Sequence, residues 1–490
     1  METPLILTLD LGTSSVRALL FDGRGRHLEG MQASREHIPR TTPDGGAELD
    51  ADELVERALA CAEEVLQRAG KWQREIAGVA VCTFWHSFLG VDGAGQAVTP
   101  IYLWADTRSA REVAELRTRL DERAVHARTG CVFHTSYLPA RLLWVQRTFP
   151  DLSRRVRRWL SPGEYLFLRL FGEPRCSYSM ASGTGLFDQN RLDWDEEVLS
   201  AAKVRREQLS PLVDVDAPAK GLRGKFAARL QPLRKVPWFP AVGDGACSNL
   251  GCGCVSPKRA ALMIGTSGAM RVLFTSGQAR PPWGVWCYRV DRRRFLLGGA
   301  LSNGGNLLVW MQNTFRLEPE ERVEQELATL EPDAHGLTVL PFLAGERSPG
   351  WAPEARAAIV GLRWHTRPID ILQAGLEAVA YRFALLHELL RSAGSEVREI
   401  IATGGALLRL PVWIQILADV LGQPVTASAE PEASSRGAAL LALEALGVLP
   451  DLREVPAALG KTYWPNPESQ ARYQQAKERQ RELYSRLIGD

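Results

Sequence analysis

Short apolar runs separated by small polar turns form the most regular pattern along this chain. Near its start, residues 5–9 and 16–21 are largely apolar, and Asp10 ends the first run. Runs of this length without helical caps predict the two strands of a β-hairpin. The turn between them contains Gly12, Thr13, Ser14 and Ser15. Backbone N–H groups and hydroxyls that converge on such a turn can hold phosphate, although an ordinary hairpin with a polar turn also explains the pattern.

The same pattern returns in the second half of the chain. Residues 261–274 read ALMIGTSGAMRVLF, so that Gly265, Thr266 and Ser267 again separate two apolar runs. A pattern that occurs once per half is what a duplicated domain leaves behind. Met263 stands where the first copy has Asp10, so only one half offers a carboxylate at this position. Two phosphate-binding hairpins and one carboxylate predict a nucleotide and one Mg²⁺ held in a cleft between the halves.

Apolar periodicity elsewhere predicts further helices and strands. Asp50 is expected to cap a helix that ends before Gly70, with Glu53 completing a capping box. The other predicted elements are a strand over 76–84, a helix over 372–390, a strand over 399–403 and a helix over 411–421 that Gly422 stops.

Several polar and aromatic residues lie at the ends of these elements. Trp85 and His86 follow the strand over 76–84, and open α/β sheets bind ligands at the C-terminal ends of their strands. Asp106 lies just before a predicted helix, and Asp244 lies in a predicted turn between two glycines. A hydrogen-bonded histidine at a strand end and a turn aspartate are the structural alternatives for His86 and Asp244.

Composition excludes several classes of protein. With 490 residues, of which 45% are hydrophobic and 24% charged, the chain is long enough for two or three domains with full cores. A formal net charge of +2 gives no reason to expect nucleic acid or a membrane surface as a partner. No apolar run approaches the ~20 residues of a membrane span, and no signal-peptide pattern is present, which favours the cytoplasm. The eight cysteines show no regular pairing, as expected for reduced thiols.

Taken together, the motifs resemble those of the FGGY family of carbohydrate kinases, members of the actin-like ATPase superfamily. LDLGTSSVRALLFD is similar to the first phosphate motif, MIGTSGAMRVLF to the second, ATGGALLRLPVWIQILADVLGQPV to the adenosine motif, and LPFLAGERSPGW to a loop typical of these kinases. The resemblance implies an α/β fold of two duplicated actin-like (ribonuclease H-like) ATPase domains with a cleft between them. The expected domains are residues 1–245, with the sugar site and the first hairpin, and residues 246–490, with the second hairpin and the adenosine site.

The resemblance also implies a set of site residues. Asp244 would be the catalytic base and would contact the substrate hydroxyl together with Trp85, His86 and Asp106. The nucleotide and its phosphates would lie at Gly12, Thr13, Ser14, Ser15, Arg17, Gly265, Thr266, Ser267, Gly305, Gly404, Gly405 and Arg409. Asp10 would lie near Mg²⁺. The implied cofactors are ATP and Mg²⁺, and the implied partner is a small sugar or sugar acid.

The implied reaction is transfer of the γ-phosphoryl group of Mg-ATP to a terminal hydroxyl of a linear sugar or sugar acid. The stretches HS, WADTRS, SYSMASGTGLFDQNRLDWDEEVL and DGACSNLG look most like those of gluconokinases, which makes gluconate the expected acceptor. Gly245 stands where xylulokinases have asparagine, and the missing side chain is expected to leave room for a six-carbon acceptor. Trp85 departs from the family, in which methionine is usual at this position.

Two alternatives stay open. One is a kinase for another pentulose or polyol, such as xylulose, ribulose or glycerol. The other is an actin-like nucleotide switch that has lost catalysis, because a fold by itself does not determine a function. A homodimer also stays open, and the sequence does not show which residue would bind the carboxylate of gluconate.

Overall fold

Strands and helices alternate along residues 3–489, the part of the chain that this computed structural model describes. The strands of the first half are β1 (Leu5–Leu11), β2 (Ser15–Phe21), β3 (His27–Glu36), β4 (Arg40–Thr41), β5 (Ala47–Leu49), β6 (Ile76–Thr83), β7 (Leu89–Val91), β8 (Ile101–Tyr102), β9 (Arg158–Leu160), β10 (Cys176–Ser177), β11 (Phe187–Asp188), β12 (Asp193–Trp194), β13 (Leu212–Val213) and β14 (Val242–Gly243). The helices are α1 (Ala51–Ala69), α2 (Ala110–Arg119), α3 (Glu122–Thr129), α4 (Leu138–Thr148), α5 (Pro150–Arg155), α6 (Pro162–Phe171), α7 (Tyr178–Ser182), α8 (Glu196–Ala201), α9 (Gly224–Arg229) and α10 (Asp244–Gly251).

The second half continues the alternation. Its strands are β15 (Arg259–Ile264), β16 (Gly268–Thr275), β17 (Trp286–Arg289), β18 (Arg294–Leu301), β19 (Thr338–Leu340), β20 (Ala358–Val360), β21 (Glu399–Thr403), β22 (Val425–Ser428) and β23 (Leu459–Tyr463). Its helices are α11 (Gly305–Phe315), α12 (Glu320–Leu327), α13 (Pro368–Ser392), α14 (Gly405–Leu408), α15 (Pro411–Leu421), α16 (Ala433–Ala445) and α17 (Pro467–Leu487). The strands and helices predicted over 76–84, 372–390, 399–403 and 411–421 are thus confirmed, with small differences at their ends.

Two sheets repeat one arrangement. The first has the strand order β14-β6-β1-β2-β3, and the second has the order β17-β18-β16-β15-β21-β22-β23. In the first sheet β1 pairs antiparallel with β2 and parallel with β6, and in the second β15 pairs antiparallel with β16 and parallel with β21. Both predicted hairpins are therefore present at equivalent places, which confirms the duplicated α/β fold.

Helix α1 begins as the sequence predicts, with one difference. The Asp50 side chain accepts a hydrogen bond from the Glu53 backbone N–H at 2.8 Å. The Glu53 side chain does not complete the predicted capping box, because it pairs with Arg57 one turn further along the helix. The apolar face of α1, including Leu54 and Val65, is buried against the first sheet.

Helices α10 and α16 cross in the space between the two sheets. Their backbones touch: a Cβ added to Gly437 would lie 1.9 Å from the carbonyl oxygen of Cys247, and one added to Gly251 would lie 1.8 Å from that of Ala433. Side chains at these two glycines would push the helices apart. Glycine is thus required at both positions for the crossing.

Although α16 follows the second sheet in the chain, it covers the first. Its residues 438–443 are buried in the same apolar core as β1 and β6. The predicted domain boundary at residue 245 assigns α16 to the second domain, whereas α16 packs on the sheet of the first. The division itself stays a prediction, and its outer limits at residues 1 and 490 lie outside the described residues.

We expect Gly437→Ala to lower the free energy of unfolding by about 3 kcal/mol, because the added methyl group meets a backbone carbonyl that cannot move away without separating the helices. Thermal and urea unfolding measure the change. Gly375→Ala in α13 is the matched control, since its added Cβ would meet only the flexible end of Met311 and alanine favours a helix. Equal stability of the two variants would contradict the close crossing.

Candidate active site

A cavity of about 230 Å³ opens between the two halves of the molecule, at the C-terminal ends of β6 and β14. The first half contributes Thr13, Trp85, His86, Trp104, Tyr137 and Asp244, and the second contributes Ser267, Arg271, Tyr288 and Arg347. Because both halves supply walls, the cavity lies where the sequence predicts a cleft. Its polar groups converge from different elements, as is typical of a ligand site.

Asp244 enters the cavity from the first turn of α10. The sequence places it in a turn, whereas the structure makes it the first residue of a helix that follows the extended Gly243. One carboxylate oxygen accepts the Gly245 N–H at 2.7 Å. Burial, reinforced by the negative charge of Asp10, raises the pKa of Asp244 to about 6, and Arg271 opposes this rise. The carboxylate is therefore a stronger base than an ordinary aspartate and is still mostly ionised at pH 7.

Asp10 and Arg17 face each other across the first hairpin, since they are paired in the register of β1 and β2. Arg17 donates to Asp10 at 2.8 Å and to Glu432, just before α16, at 2.8 Å. Burial raises the pKa of Asp10, and the adjacent Arg17 counteracts it. Two carboxylates thus converge on one guanidinium. Carboxylate oxygens are the ligands that Mg²⁺ prefers, so this pair of acids fits that ion.

Trp85 fills the space beside Gly245. Its indole N–H donates to the Ser179 carbonyl at 2.9 Å, and a Cβ added to Gly245 would lie 2.9 Å from its ring. The expectation that the missing side chain at position 245 leaves room for a longer acceptor is therefore wrong, because an aromatic ring from another strand end occupies that room.

His86 adopts a left-handed backbone conformation with φ of 62°. Its Nδ1 contacts the Gly183 carbonyl, and burial lowers its pKa to about 3, with the charges of Arg141 and Arg347 acting in the same direction. The ring is therefore neutral at pH 7. Since a nitrogen that faces a carbonyl must carry the proton, Nε2 is the acceptor of this tautomer. His86 can accept a hydrogen bond from a substrate hydroxyl.

Asp106 does not reach the cavity. It is fully buried and forms an ion pair with Arg108, two residues further along the chain, while accepting the Ala47 N–H at 3.3 Å. Its carboxylate ties the turn before α2 to β5. The geometry thus gives Asp106 a structural role in place of the substrate contact implied by the resemblance.

A second depression lies beside the second hairpin. It is lined by Gly265, Thr266, Gly305, Asn306, Val309, Trp310, Gly405, Ala406 and Arg409. Gly404 has a φ of 94°, and a Cβ there would lie 2.4 Å from the Ile264 carbonyl, so that only glycine allows this approach. Trp310 is 39% exposed and Val309 52% exposed, which leaves an apolar surface open to a flat ring. Five of the twelve predicted nucleotide residues thus line one depression: Gly265, Thr266, Gly305, Gly405 and Arg409.

The second hairpin borders both the cavity and the depression, and the first hairpin borders the cavity. In the second hairpin Gly265 and Thr266 border the depression with Trp310, while Ser267 borders the cavity with Asp244. In the first, Gly12 N–H donates to the Ser15 carbonyl at 2.9 Å, Ser14 is exposed at the turn, and Thr13 accepts the Trp104 indole N–H at 3.3 Å. A molecule bound along the second turn would therefore extend from the depression into the cavity, as a phosphate chain can.

Sequence reasoning missed Glu432, Trp310 and Arg347 as site residues. Glu432 reaches Asp10 and Arg17 only through the fold, and Trp310 looks like one more apolar position of a helix. Arg347 lies in the LPFLAGERSPGW loop. The resemblance of this loop to one typical of the FGGY kinases was the one signal that could have identified Arg347 as a site residue. Among residues 3–489, no helix has both the length and the apolar character to cross a membrane.

Comparisons with known proteins match nearly the whole chain. Residues 5–251 match the N-terminal domain of the FGGY family of carbohydrate kinases, and residues 260–446 match its C-terminal domain. A gluconokinase of Bacillus subtilis is 28% identical over 478 residues, which cover 95% of this chain and 92% of the relative. A xylulose kinase of Escherichia coli is 27% identical over 493 residues, which cover 99% of each chain.

Solved structures give the same picture. The gluconate kinase of Lactobacillus acidophilus superposes with a TM-score of 0.92 at 26% identity, covering 99% of this chain and 98% of the other. A ligand-bound xylulose kinase of the same organism gives the same TM-score, identity and coverage. The fold is thus shared equally by kinases named for different acceptors.

Proposed function

Because this chain belongs to the FGGY family of carbohydrate kinases and is an ATP-dependent carbohydrate kinase, we propose that its acceptor is a linear sugar acid. Gluconate is the preferred acceptor, and phosphorylation of its terminal hydroxyl gives 6-phosphogluconate. Gluconokinases among the relatives support this proposal, although xylulose and glycerol kinases are similar to the chain at comparable identity.

One observation carries the choice of a sugar acid: the cavity holds two arginines that form no ion pair within the described chain. Arg271 donates to the Gly245 carbonyl at 2.9 Å, and Arg347 donates to the Leu301 carbonyl at 3.0 Å. Burial lowers the pKa of both guanidinium groups. The negative charge of Asp244 offsets part of the charge of Arg271, whereas no carboxylate among residues 3–489 acts on the pKa of Arg347. A buried cation without a counter-ion is costly, and an anionic acceptor would supply one to Arg347. A neutral ketose or glycerol would not.

In the proposed reaction the chain mainly aligns donor and acceptor. Asp244 orients the terminal hydroxyl and takes its proton as the bond to phosphorus forms. The turns with Thr13, Ser14, Ser15 and Arg17, and with Gly265, Thr266 and Ser267, hold the phosphates through N–H groups and hydroxyls. When bound, Mg²⁺ would neutralise charge between the β- and γ-phosphates, and Asp10 and Glu432 are the carboxylates that would hold it.

The nucleoside is assigned to the depression beside Trp310. The exposed indole offers a flat apolar surface for the base, and Gly305, Gly404 and Gly405 allow the ligand to approach the backbone. Arg409 borders the same depression. Closure of the two halves would exclude water, which otherwise competes with the sugar for the phosphoryl group.

A kinase for a shorter neutral acceptor, such as xylulose, is the second candidate. Trp85 favours it, because its ring removes the space beside Gly245 that a longer substrate would use. The guanidinium of Arg347, on which no carboxylate of the described chain acts, opposes it. We therefore retain it as the alternative outcome of the test below.

Purified enzyme with Mg-ATP is expected to show a kcat/KM for gluconate at least about 10-fold above those for xylulose, ribulose and glycerol, because a site built for a carboxylate discriminates against acceptors without one. A coupled assay of ADP release over this panel measures it. A higher kcat/KM for any of the three neutral acceptors would transfer the assignment to that acceptor.

A further inference from the structure

We infer that Arg347 binds the carboxylate of the acceptor. The inference rests on the proposed function, since it requires an acidic acceptor. It assigns the two ends of the substrate to two groups that line one cavity: the reacting hydroxyl to Asp244 and the anionic group to Arg347.

The two cavity arginines occupy different places. Arg271 bonds the carbonyl of the residue directly after Asp244, and Asp244 is the acid that acts on its pKa. The titratable groups that act on the pKa of Arg347 are Tyr137 and Tyr288. Its guanidinium lies 5.9 Å from the centre of the Trp104 ring. A carboxylate thus lies near Arg271, whereas none in the part of the chain that the structure describes acts on the pKa of Arg347.

The contacts of the two arginines select between them. With C–C bonds of about 1.5 Å, an extended aldonate places its carboxylate about 7 Å from its terminal hydroxyl. Arg271 is bonded to the residue next to Asp244 and so lies beside the position of the reacting hydroxyl. Arg347 lines the same cavity and is bonded to Leu301 on a different strand, so the carboxylate is assigned to it. Arg271 is left to hold the Gly245 carbonyl at the start of α10, which carries Asp244.

The walls around Arg347 are neutral. Burial lowers the pKa of His134 to about 3, as it does for His86, so both imidazoles are uncharged at pH 7. Burial also raises the pKa of Tyr137 and of Tyr288, whose hydroxyls share a hydrogen bond of 2.6 Å. None of these groups offsets the charge of Arg347. A carboxylate that entered here would meet one desolvated guanidinium, the geometry in which bidentate ion pairs are strongest.

The backbone on both sides of Arg347 is held in place. Glu346 points away from the cavity into a buried ion pair with Arg382, and its second oxygen accepts the Tyr484 hydroxyl at 2.6 Å. Ser348 N–H donates to the Ala300 carbonyl at 3.0 Å. With its neighbours anchored, Arg347 is directed to the cavity before any ligand binds, which lowers the entropy lost on binding.

The test compares gluconate with glucitol, the neutral six-carbon polyol that has a hydroxymethyl group in place of the carboxylate. For R347Q we expect kcat/KM for gluconate to fall about 10- to 100-fold, mainly through KM, while kcat/KM for glucitol changes less than about 3-fold. R347K, which keeps the charge, should recover part of the loss. Calorimetric titration with gluconate should show the same weakening without turnover.

R356Q is the matched control. Arg356 lies on the same loop and is 68% exposed, so its replacement makes the same chemical change outside the cavity and should leave both acceptors unaffected. An unchanged thermal midpoint and ATP affinity of R347Q would show that the variant is folded.

The outcomes separate the inference from the function on which it rests. If the wild-type enzyme prefers xylulose, ribulose or glycerol to gluconate, both are overturned. If wild type prefers gluconate but R347Q loses the same factor on gluconate and glucitol, or loses nothing, only the role of Arg347 is overturned. A selective loss on gluconate in R271Q alone would place the carboxylate at Arg271 and overturn it as well.

Discussion

Asp244→Asn is expected to lower kcat by about 10²- to 10⁴-fold, because the amide keeps the shape of the side chain but cannot take the proton of the acceptor hydroxyl. ATP affinity should change little, since Asp244 lines the cavity with Trp85 and not the depression with Trp310. A coupled assay of ADP release and a nucleotide titration measure the two quantities separately.

The pH dependence of kcat/KM is the control for Asp244→Asn. Because a base must be ionised to act and burial raises the pKa of Asp244 to about 6, kcat/KM of the wild-type enzyme should rise with pH through about 6 and level off above it. The residual activity of D244N should lack this limb. Turnover near the wild-type value in D244N, or an unchanged acid limb, would remove Asp244 from the chemistry.

Asp10→Asn is expected to lower kcat about 10²-fold at a fixed, moderate Mg²⁺ concentration and to raise the concentration needed for half-maximal activity. The variant removes one of two carboxylates that converge on Arg17, and with it a charged oxygen ligand for the ion. Titrations of activity with Mg²⁺ at saturating ATP and gluconate measure both effects.

Asp22→Asn is the matched control for the magnesium experiment. Asp22 directly follows the other strand of the same hairpin, is equally buried and pairs with Arg26, but unlike Asp10 it is not among the charges that act on the pKa of Asp244. This variant should lose stability and keep its Mg²⁺ titration. If D10N and D22N gave the same magnesium curve, Asp10 would be a structural partner of Arg17 and not a ligand.

Local sequence predicted the hairpins and most of the helices because each depends on residues close together in the chain. The turn residues between two apolar runs determine a hairpin, and Asp50 caps its helix through the N–H three residues away. The site residues that share a short motif, such as Gly265, Thr266 and Ser267, could be assigned for the same reason.

The remaining features depend on contacts between distant segments. Arg108 forms an ion pair with Asp106. The sequence shows that both residues are present, but not that they pair with each other. Trp85 occupies the space at Gly245 from the end of another strand, and Glu432 meets Arg17 across most of the chain. Which polar groups can contact a ligand depends on how distant segments pack against each other, and a short stretch of sequence does not specify that packing.

Because α16 lies late in the chain but covers the first sheet, the core of the first half cannot close until most of the enzyme has been synthesised. During synthesis β1 and β6 leave the ribosome long before the helix that covers them, so one apolar face of the first sheet waits for its partner. About 350 residues separate β6 from α16, so that at about 5–20 residues per second the delay is roughly 20 to 70 s. Over that interval the nascent first half exposes the surface that α16 later buries, and we expect chaperones that bind apolar segments to occupy it. An early stop in translation would release a fragment with the first hairpin and Asp244 but without a closed core.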